Sequence, residues 1–289
     1  MKIVKKAYGK LNLGLDVTGK RDDGYHLVRM IMQTVDIYDD LVFEDNESGQ
    51  IELFANSPQI PTDERNLIWK VAALLKEKYS PDRGVKITLT KRIPVAAGMA
   101  GGSADAAAAF HGLNDLWNLG LTRAQMCEMA VKLGADIPYC IMGGTMLSEG
   151  IGEILTPLKD MPECSIVVAK PAIGVSTAWV YNELDSRESV EHPDIDGVKE
   201  AIENGDLGRM CALIGNVLET VTKEKHSVIG DIERILEDEG AVRAFMTGSG
   251  PTVFGIFDDD TKAAKAVEAV KKSGLAPELF LTKPVDPKM

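Results

Sequence analysis

The chain has 289 residues, 45% hydrophobic and 26% charged, which fits a folded protein of one large or two modest domains and excludes a disordered, collagenous or coiled-coil chain. Lys and Arg total 32 against 44 Asp and Glu, a net charge of −12 that repels phosphate backbones and argues against general nucleic-acid binding. A local basic site for a small anion stays open.

Along the chain, residues 2–8 and 11–17 read as strands interrupted at Gly9. Residues 28–37 and 41–44 are two more, with a turn at Tyr38-Asp39-Asp40. Residues 51–55 alternate, and 85–90 (VKITLT) alternate strictly, as half-buried strands do. Leu67, Ile68, Val71, Ala72, Leu74 and Leu75 fall at helical spacing and predict a helix over 66–78. Helices follow over 103–117 and 122–133, the second with Thr122 as N-cap and Gly134 as its stop. The prolines and charges of TPLKDMPE, residues 156–163, mark a domain boundary and divide the chain into 1–158 and 159–289. Beyond it come a strand over 165–169 and helices over 177–184, 195–204, 207–219 and 227–239. Strands over 242–246 and 252–256 bracket a glycine turn, and a helix over 261–272 and a strand over 278–282 finish the chain. Strands followed by blocks of helices indicate an α+β fold, not a regular doubly wound sheet. The charged helical stretch 186–240 reads as a solvated scaffold.

The opening MKIVKKAYGK lacks the apolar core of a signal peptide, and the longest weakly polar stretch, 137–148, is far short of the ~20 residues of a spanning helix. Cys127, Cys140, Cys164 and Cys211 form no C-x-x-C pair, so ordinary thiols in a reducing cytoplasm are expected. His111, His192 and His226 lack zinc-ligand spacing.

The most informative stretch is KRIPVAAGMAGGSADAAAAF, residues 91–110. Gly98, Gly101 and Gly102 permit positive φ and close ligand approach, and the helix start that follows offers unpaired N–H groups and about half a positive charge. Together these make a phosphate site, with Ser103 able to cap the helix or donate to an oxygen and Lys91 and Arg92 adding positive charge. The plainer alternative is a flexible connector before a tightly packed helix. Two common nucleotide signatures are absent. GLDVTGK at 14–20 is followed by Arg21 where a P-loop needs Ser or Thr, and no G-x-G-x-x-G follows a strand.

Three motifs stand in order: KLNLGLDVTGKRDDGYH (10–26), the glycine loop, and MTGSGPTVFGIF (246–257). Their order and spacing resemble the GHMP kinase superfamily. The first motif, with LGADIP (133–138) and EGIGEILTP (149–157), is similar to the branch that phosphorylates a cytidine-diphosphate-linked methylerythritol in the non-mevalonate isoprenoid pathway. The resemblance implies a two-domain α+β fold with the active site in the interdomain cleft. It implies ATP held by Pro94, Val95, Ala96, Ala97, Gly98, Met99, Ala100, Gly101, Gly102, Ser103 and Ala104, with Mg²⁺ accompanying it and Ser103 as a candidate ligand. Ala100 stands where the superfamily often has glycine, and Asp105 adds a negative charge near the phosphate end.

The same resemblance implies Asp136 as the base and Lys10 as its partner. An Asp near a Lys stays ionised and can accept a hydroxyl proton, and the cation can stabilise the transferring group. The plainer role for Asp136 is a turn residue after Gly134. Asn12, Tyr25 and His26 would line the substrate side: an amide for polyol hydroxyls, a ring on which a pyrimidine stacks, and an imidazole for cytosine. Thr177 would reach the substrate diphosphate and Tyr181 would face Tyr25 across the base. The 247–251 turn either approaches the cleft or only supports its sheet. The partners implied are ATP and one small molecule, with no nucleic acid or membrane, on a monomer or homodimer. Another superfamily kinase, acting on homoserine or mevalonate, and a non-catalytic sensor are the alternatives.

Overall fold

The computed structural model describes residues 1–79 and 82–287. Among these residues the strands form two sheets. In the first, β1 (Lys2–Lys20) and β2 (His26–Asn46) run antiparallel over almost their whole length. The other edge of β2 pairs with β4 (Gly84–Thr90) through residues 40–46 and with β5 (Thr145–Glu149) through residues 30–33. β3 (Ile51–Ala55) lies parallel to β4, and β6 (Ile154–Pro157) antiparallel to β5. The second sheet is antiparallel throughout, in the order β10 (Glu278–Thr282), β7 (Ser165–Lys170), β9 (Val253–Phe257), β8 (Arg243–Met246). The α+β class read from the sequence holds.

Gly9 does not end a strand. β1 continues through it with register shifts between Tyr8 and Lys10, Asn12 and Gly14, and Val17 and Gly19. Such irregularities re-aim side chains without breaking a pair, and here Lys10 and Asn12, two residues apart, share a buried face. The turn expected at Tyr38-Asp39-Asp40 is also continuous strand. Asp39, a turn former when solvated, is fully buried, and its carboxylate is met by Lys91 and by the backbone N–H groups of Arg92 and Ile93. β5 and β6 were not legible from alternation. β5 is buried on both faces from Thr145 to Ser148, and β6 is a short exposed edge.

α1 (Leu67–Tyr79) packs on α2 (Gly101–Trp117), which lies against β1 and β2. The alanines at 106–109 are buried, and a Cβ on Gly112 would overlap the Phe43 ring, so small residues let this helix sit close to the sheet. α3 (Arg123–Ala130) starts from Thr122 in a capping box with Gln125, as its sequence suggests, but ends earlier than expected. A separate short helix, α4 (Ile137–Met142), then begins at Asp136. α5 (Thr177–Asp185) follows β7, and α6 (Ile195–Glu203) lies on β1 and β2, so the second half of the chain helps cover the first sheet. The helix expected over 207–219 stops at Leu213 as α7 (Leu207–Leu213), the chain breaks at Gly215-Asn216, and α8 (Glu219–Lys225) follows where no helix was expected. α9 (Val228–Asp238) and α10 (Asp260–Ser273) cover the second sheet with Ile229, Ile232, Leu236, Ala263, Ala266 and Val270. Two bridges, Leu15 to Asn216 and Val35 to Pro284, tie later segments back to β1 and β2. Among the described residues, no helix is long and apolar enough to cross a membrane.

Candidate active site

The glycine loop between β4 and α2 separates two adjoining cavities. One, of about 400 Å³, is lined by Ile60, Pro61, Arg65, Asn66, Leu67 and Lys91 together with Pro94, Val95, Ala96, Ala97, Gly98, Ala100, Gly101, Gly102, Ser103 and Asp105. The other, of about 530 Å³, is lined by Lys10, Asn12, Tyr25, His26, Asp136, Thr177, Tyr181, Gly248 and Ser249, among others. Gly98, Ala100 and Ser103 belong to both walls, so a long ligand in the first cavity can reach the second across the start of α2.

The loop is shaped for close backbone approach. Ala96 and Ala100 adopt φ of 51° and 55°, a left-handed conformation that costs an L-residue roughly 1–2 kcal/mol. Ala100 therefore takes up glycine's conformation despite its Cβ. It is the N-cap of α2 and no side chain caps that end. Ser103 lies inside the first turn instead of capping it, facing both cavities. Met99 and Ala104 send their side chains into the core, and the Ala104 N–H is taken by the Ala100 carbonyl.

The positive charge expected from Lys91 and Arg92 is cancelled locally. Lys91 Nζ lies 2.5 Å from Asp39 Oδ2 and 2.8 Å from Asp105 Oδ2, and Arg92 is 2.7 Å from Asp40. Burial pushes the Asp105 carboxyl up to about 8; Lys91 opposes the rise and Asp39 adds to it. Anion attraction at the loop thus falls to its amides and the helix terminus.

In the second cavity, Lys10 is 5% exposed, and its Nζ donates to Asn12 Oδ1 and to the Gly98 carbonyl, each at 2.7 Å. Burial lowers its pKa from the usual lysine value, while Asp136 and Cys140 pull the other way. Asp136 does occupy the turn after Gly134, as N-cap of α4, but its carboxylate makes no capping bond and lines the cavity. Asn12 is held from both ends, its Oδ1 by Lys10 and its Nδ2 near Met30 Sδ at 3.4 Å.

Tyr25, 59% exposed, lines the same cavity. The His26 ring packs on Tyr181 with centroids 4.5 Å apart, and burial pushes the Tyr181 hydroxyl up to about 12. Thr177 and Tyr181, one turn apart on α5, both face the cavity, and Thr177 Oγ1 lies 2.8 Å from Ser249 Oγ. The 247–251 turn therefore does reach the cleft.

Sequence reasoning missed three polar residues. Asp185 holds His26 Nε2 at 2.8 Å and Lys20 Nζ at 2.5 Å. Asn66 lines the first cavity. Asn216 is buried against the 247–251 turn, with Gly215-Asn216 as its one local signal, a breaker pair inside an expected helix. Among the described residues, no group of three or more His, Cys, Asp or Glu could hold a metal.

Residues 66–144 match the GHMP kinases N terminal domain, and residues 198–275 match the GHMP kinases C terminal domain. The chain is 46% identical over 282 residues to the 4-diphosphocytidyl-2-C-methyl-D-erythritol kinase of Lachnospira eligens, covering 98% of each chain. It is 47% identical over 278 residues to the enzyme of the same name from Lachnoclostridium phytofermentans, covering 96% of each. A crystal structure of 4-(cytidine 5'-diphospho)-2C-methyl-D-erythritol kinase superposes with a TM-score of 0.83 at 28% identity, over 99% of this chain and 100% of that one. A homoserine kinase from Cytophaga hutchinsonii shares the fold, with a TM-score of 0.78 at 17% identity over 99% and 95% of the two chains. A glycine loop ending in a helix terminus, beside a cavity holding a buried lysine and a free carboxylate, agrees with these likenesses, and the chain belongs to the 4-diphosphocytidyl-2-C-methyl-D-erythritol kinase family of GHMP kinases.

Proposed function

We propose that this kinase transfers the terminal phosphoryl group of ATP to a hydroxyl of 4-diphosphocytidyl-2-C-methyl-D-erythritol, in the non-mevalonate route to isoprenoid precursors, with Lys10 and Asp136 as the reacting pair. The observation that carries the reading is the pair of cavities joined at Gly98, Ala100 and Ser103, with Lys10, Asp136 and an aromatic end all in the second. The base and sugar of ATP occupy the first cavity, near Asn66 and Pro94. Its phosphates cross the loop at the start of α2, where backbone N–H groups bind them. Asp136 orients the acceptor hydroxyl and takes its proton, and the Lys10 ammonium stabilises charge on the transferring group. Tyr25 and His26 bind the cytosine with Tyr181 behind them, Asn12 and Thr177 serve the polyol and diphosphate, and the loop backbone from Val95 to Ser103 provides the cradle.

Magnesium fits this arrangement to a limited extent. The Ser103 hydroxyl faces both cavities and makes no capping bond, so it would be one oxygen ligand beside phosphate and water oxygens. When bound, the ion neutralises phosphate charge. In the same proposal the chain divides between residues 158 and 159, after β6 closes the first sheet and before β7 opens the second. A reducing, cytoplasmic setting is supported by four free thiols.

An ADP-release assay offered the cytidine substrate, homoserine and mevalonate in parallel tests the reading. Turnover with the cytidine substrate alone is expected. Equal or greater turnover with either other alcohol would refute it.

A further inference from the structure

Asn216 lies where the expected helix breaks, and it is 7% exposed. Its Nδ2 donates to the carbonyls of Met246 and Gly248, each at 2.8 Å, and its Oδ1 accepts the Leu218 N–H at 3.0 Å. A primary amide brings two donors on one nitrogen and an acceptor beside them, and here both donors and the oxygen are engaged. On either side of it the backbone is tied to β1. The Leu15 N–H donates to the Gly215 carbonyl at 2.9 Å, and the Val217 N–H donates to the Leu15 carbonyl at 3.0 Å.

The 247–250 turn that Asn216 grips is wedged against the glycine loop. Gly98 and Gly248 have φ of 69° and 60° and lie back to back. A Cβ on Gly98 would overlap the Thr247 carbonyl oxygen, and one on Gly248 would come within 3.1 Å of the Gly98 carbonyl oxygen. The Asn12 N–H donates to Thr247 Oγ1 at 3.0 Å. The Gly98 carbonyl in turn accepts from Lys10 Nζ at 2.7 Å. Contacts thus run in a closed ring from β1 through Asn216, the 247–250 turn, the glycine loop and Lys10, back to β1.

We infer that Asn216 is a positioning residue for phosphoryl transfer: it locks the 247–250 turn against Gly98 and so fixes the carbonyl that aims Lys10. This rests on Lys10 acting in the reaction. Among the described residues Asn216 neither lines the second cavity nor hydrogen-bonds Tyr25, His26 or Tyr181, so its loss acts on the chemical step and not on capture of the nucleoside.

Asn216→Asp keeps the size and the Leu218 acceptor but turns an oxygen toward two carbonyls. It is expected to lower kcat about tenfold or more, the scale of a misplaced reacting group, with KM for the cytidine substrate within about threefold. Gly248→Ala disturbs the same contact from the opposite side and is expected to give the same split, so it carries the test if Asn216→Asp does not fold. Combined with Lys10→Ala, neither loss is expected to add. Unchanged kcat in both variants, a KM rise that accounts for the loss, or a loss that adds to that of Lys10→Ala would overturn the inference. Intact turnover in Lys10→Ala itself would overturn the role of Lys10 first, and this inference with it. A damaged Lys10→Ala beside two unaffected variants would overturn this inference alone.

Discussion

Lys10 and Asp136 face one cavity and feel each other's charge, yet among the described residues no ion pair within 4.0 Å joins them. Lys10 is held instead by Asn12 Oδ1 and the Gly98 carbonyl. A closed ion pair would bury both charges in each other and leave no place for an alcohol. In the proposed mechanism this separation leaves room for the acceptor alcohol between the carboxylate that takes its proton and the ammonium that stabilises the transferring group.

If Asp136 takes that proton, its amide loses the function while keeping the shape. Asp136→Asn is expected to lower kcat by ~10²-fold or more, the usual scale for a lost general base, with the melting temperature little changed. Steady-state kinetics beside a thermal melt check this. A variant within threefold of the parent would remove Asp136 from the chemistry.

In the proposed mechanism Lys10 acts as a cation, and burial holds its pKa below the ordinary value of 10.5. The ammonium is present at low pH and is lost as pH rises through that lowered pKa. Turnover is therefore expected to decline on the alkaline side before pH 10.5 is reached. A pH–rate profile on enzyme shown to stay folded tests this, and a plateau up to that pH would contradict it.

Tyr25 is exposed at the cavity rim, where a flat ring gains most from a stacked base. Tyr25→Ala is expected to remove ~1–3 kcal/mol of that stacking. The loss should appear as a higher KM for the cytidine substrate, with the KM for ATP unmoved. Equal rises in both would argue against base stacking.

The buried Asp39–Lys91–Asp105 cluster under the glycine loop sets a pH dependence of stability. Asp105 is raised from 3.8 to about 8, mainly by burial, so the folded chain holds a proton that the unfolded chain releases. That stability is fully present below the unfolded value and is lost as pH rises through about 8. One oxygen, Asp105 Oδ1, is also buried without a partner. Asp105→Asn is expected to flatten the fall in melting temperature between about pH 4 and pH 8, the window those two pKa values span. Parallel melting curves for the two proteins across that range would exclude Asp105 as the source.

Much of the site was legible because its signals are local. A strand, three glycines and an alanine-rich helix follow one another in 85–117, and short-range sterics decide what such a run can do. The capping box at Thr122 and Gln125 was readable for the same reason. Where long-range partners override local preference, the sequence misled. Asp39 belongs in a turn by its own propensity, but Lys91, 52 residues away, and two backbone N–H groups make a strand interior affordable. Lys91 beside a glycine loop has the sequence of a phosphate cation, but Asp39 and Asp105 are packed against it.

The order of strands and helices indicates an α+β fold, and the resemblance of three motifs to a known kinase family, not composition or spacing, points to a kinase and nominates Lys10, Asp136 and Tyr25. Tertiary structure alone decided that Lys10 is held by the Gly98 carbonyl, that Asp185 grips His26 from 159 residues away, and that the supposed scaffold packs Asn216 against the turn that lines the cleft. Chain-local sterics are written in neighbouring residues. A hydrogen bond between distant segments exists only once the sheets have packed and the water that competes for each donor has gone.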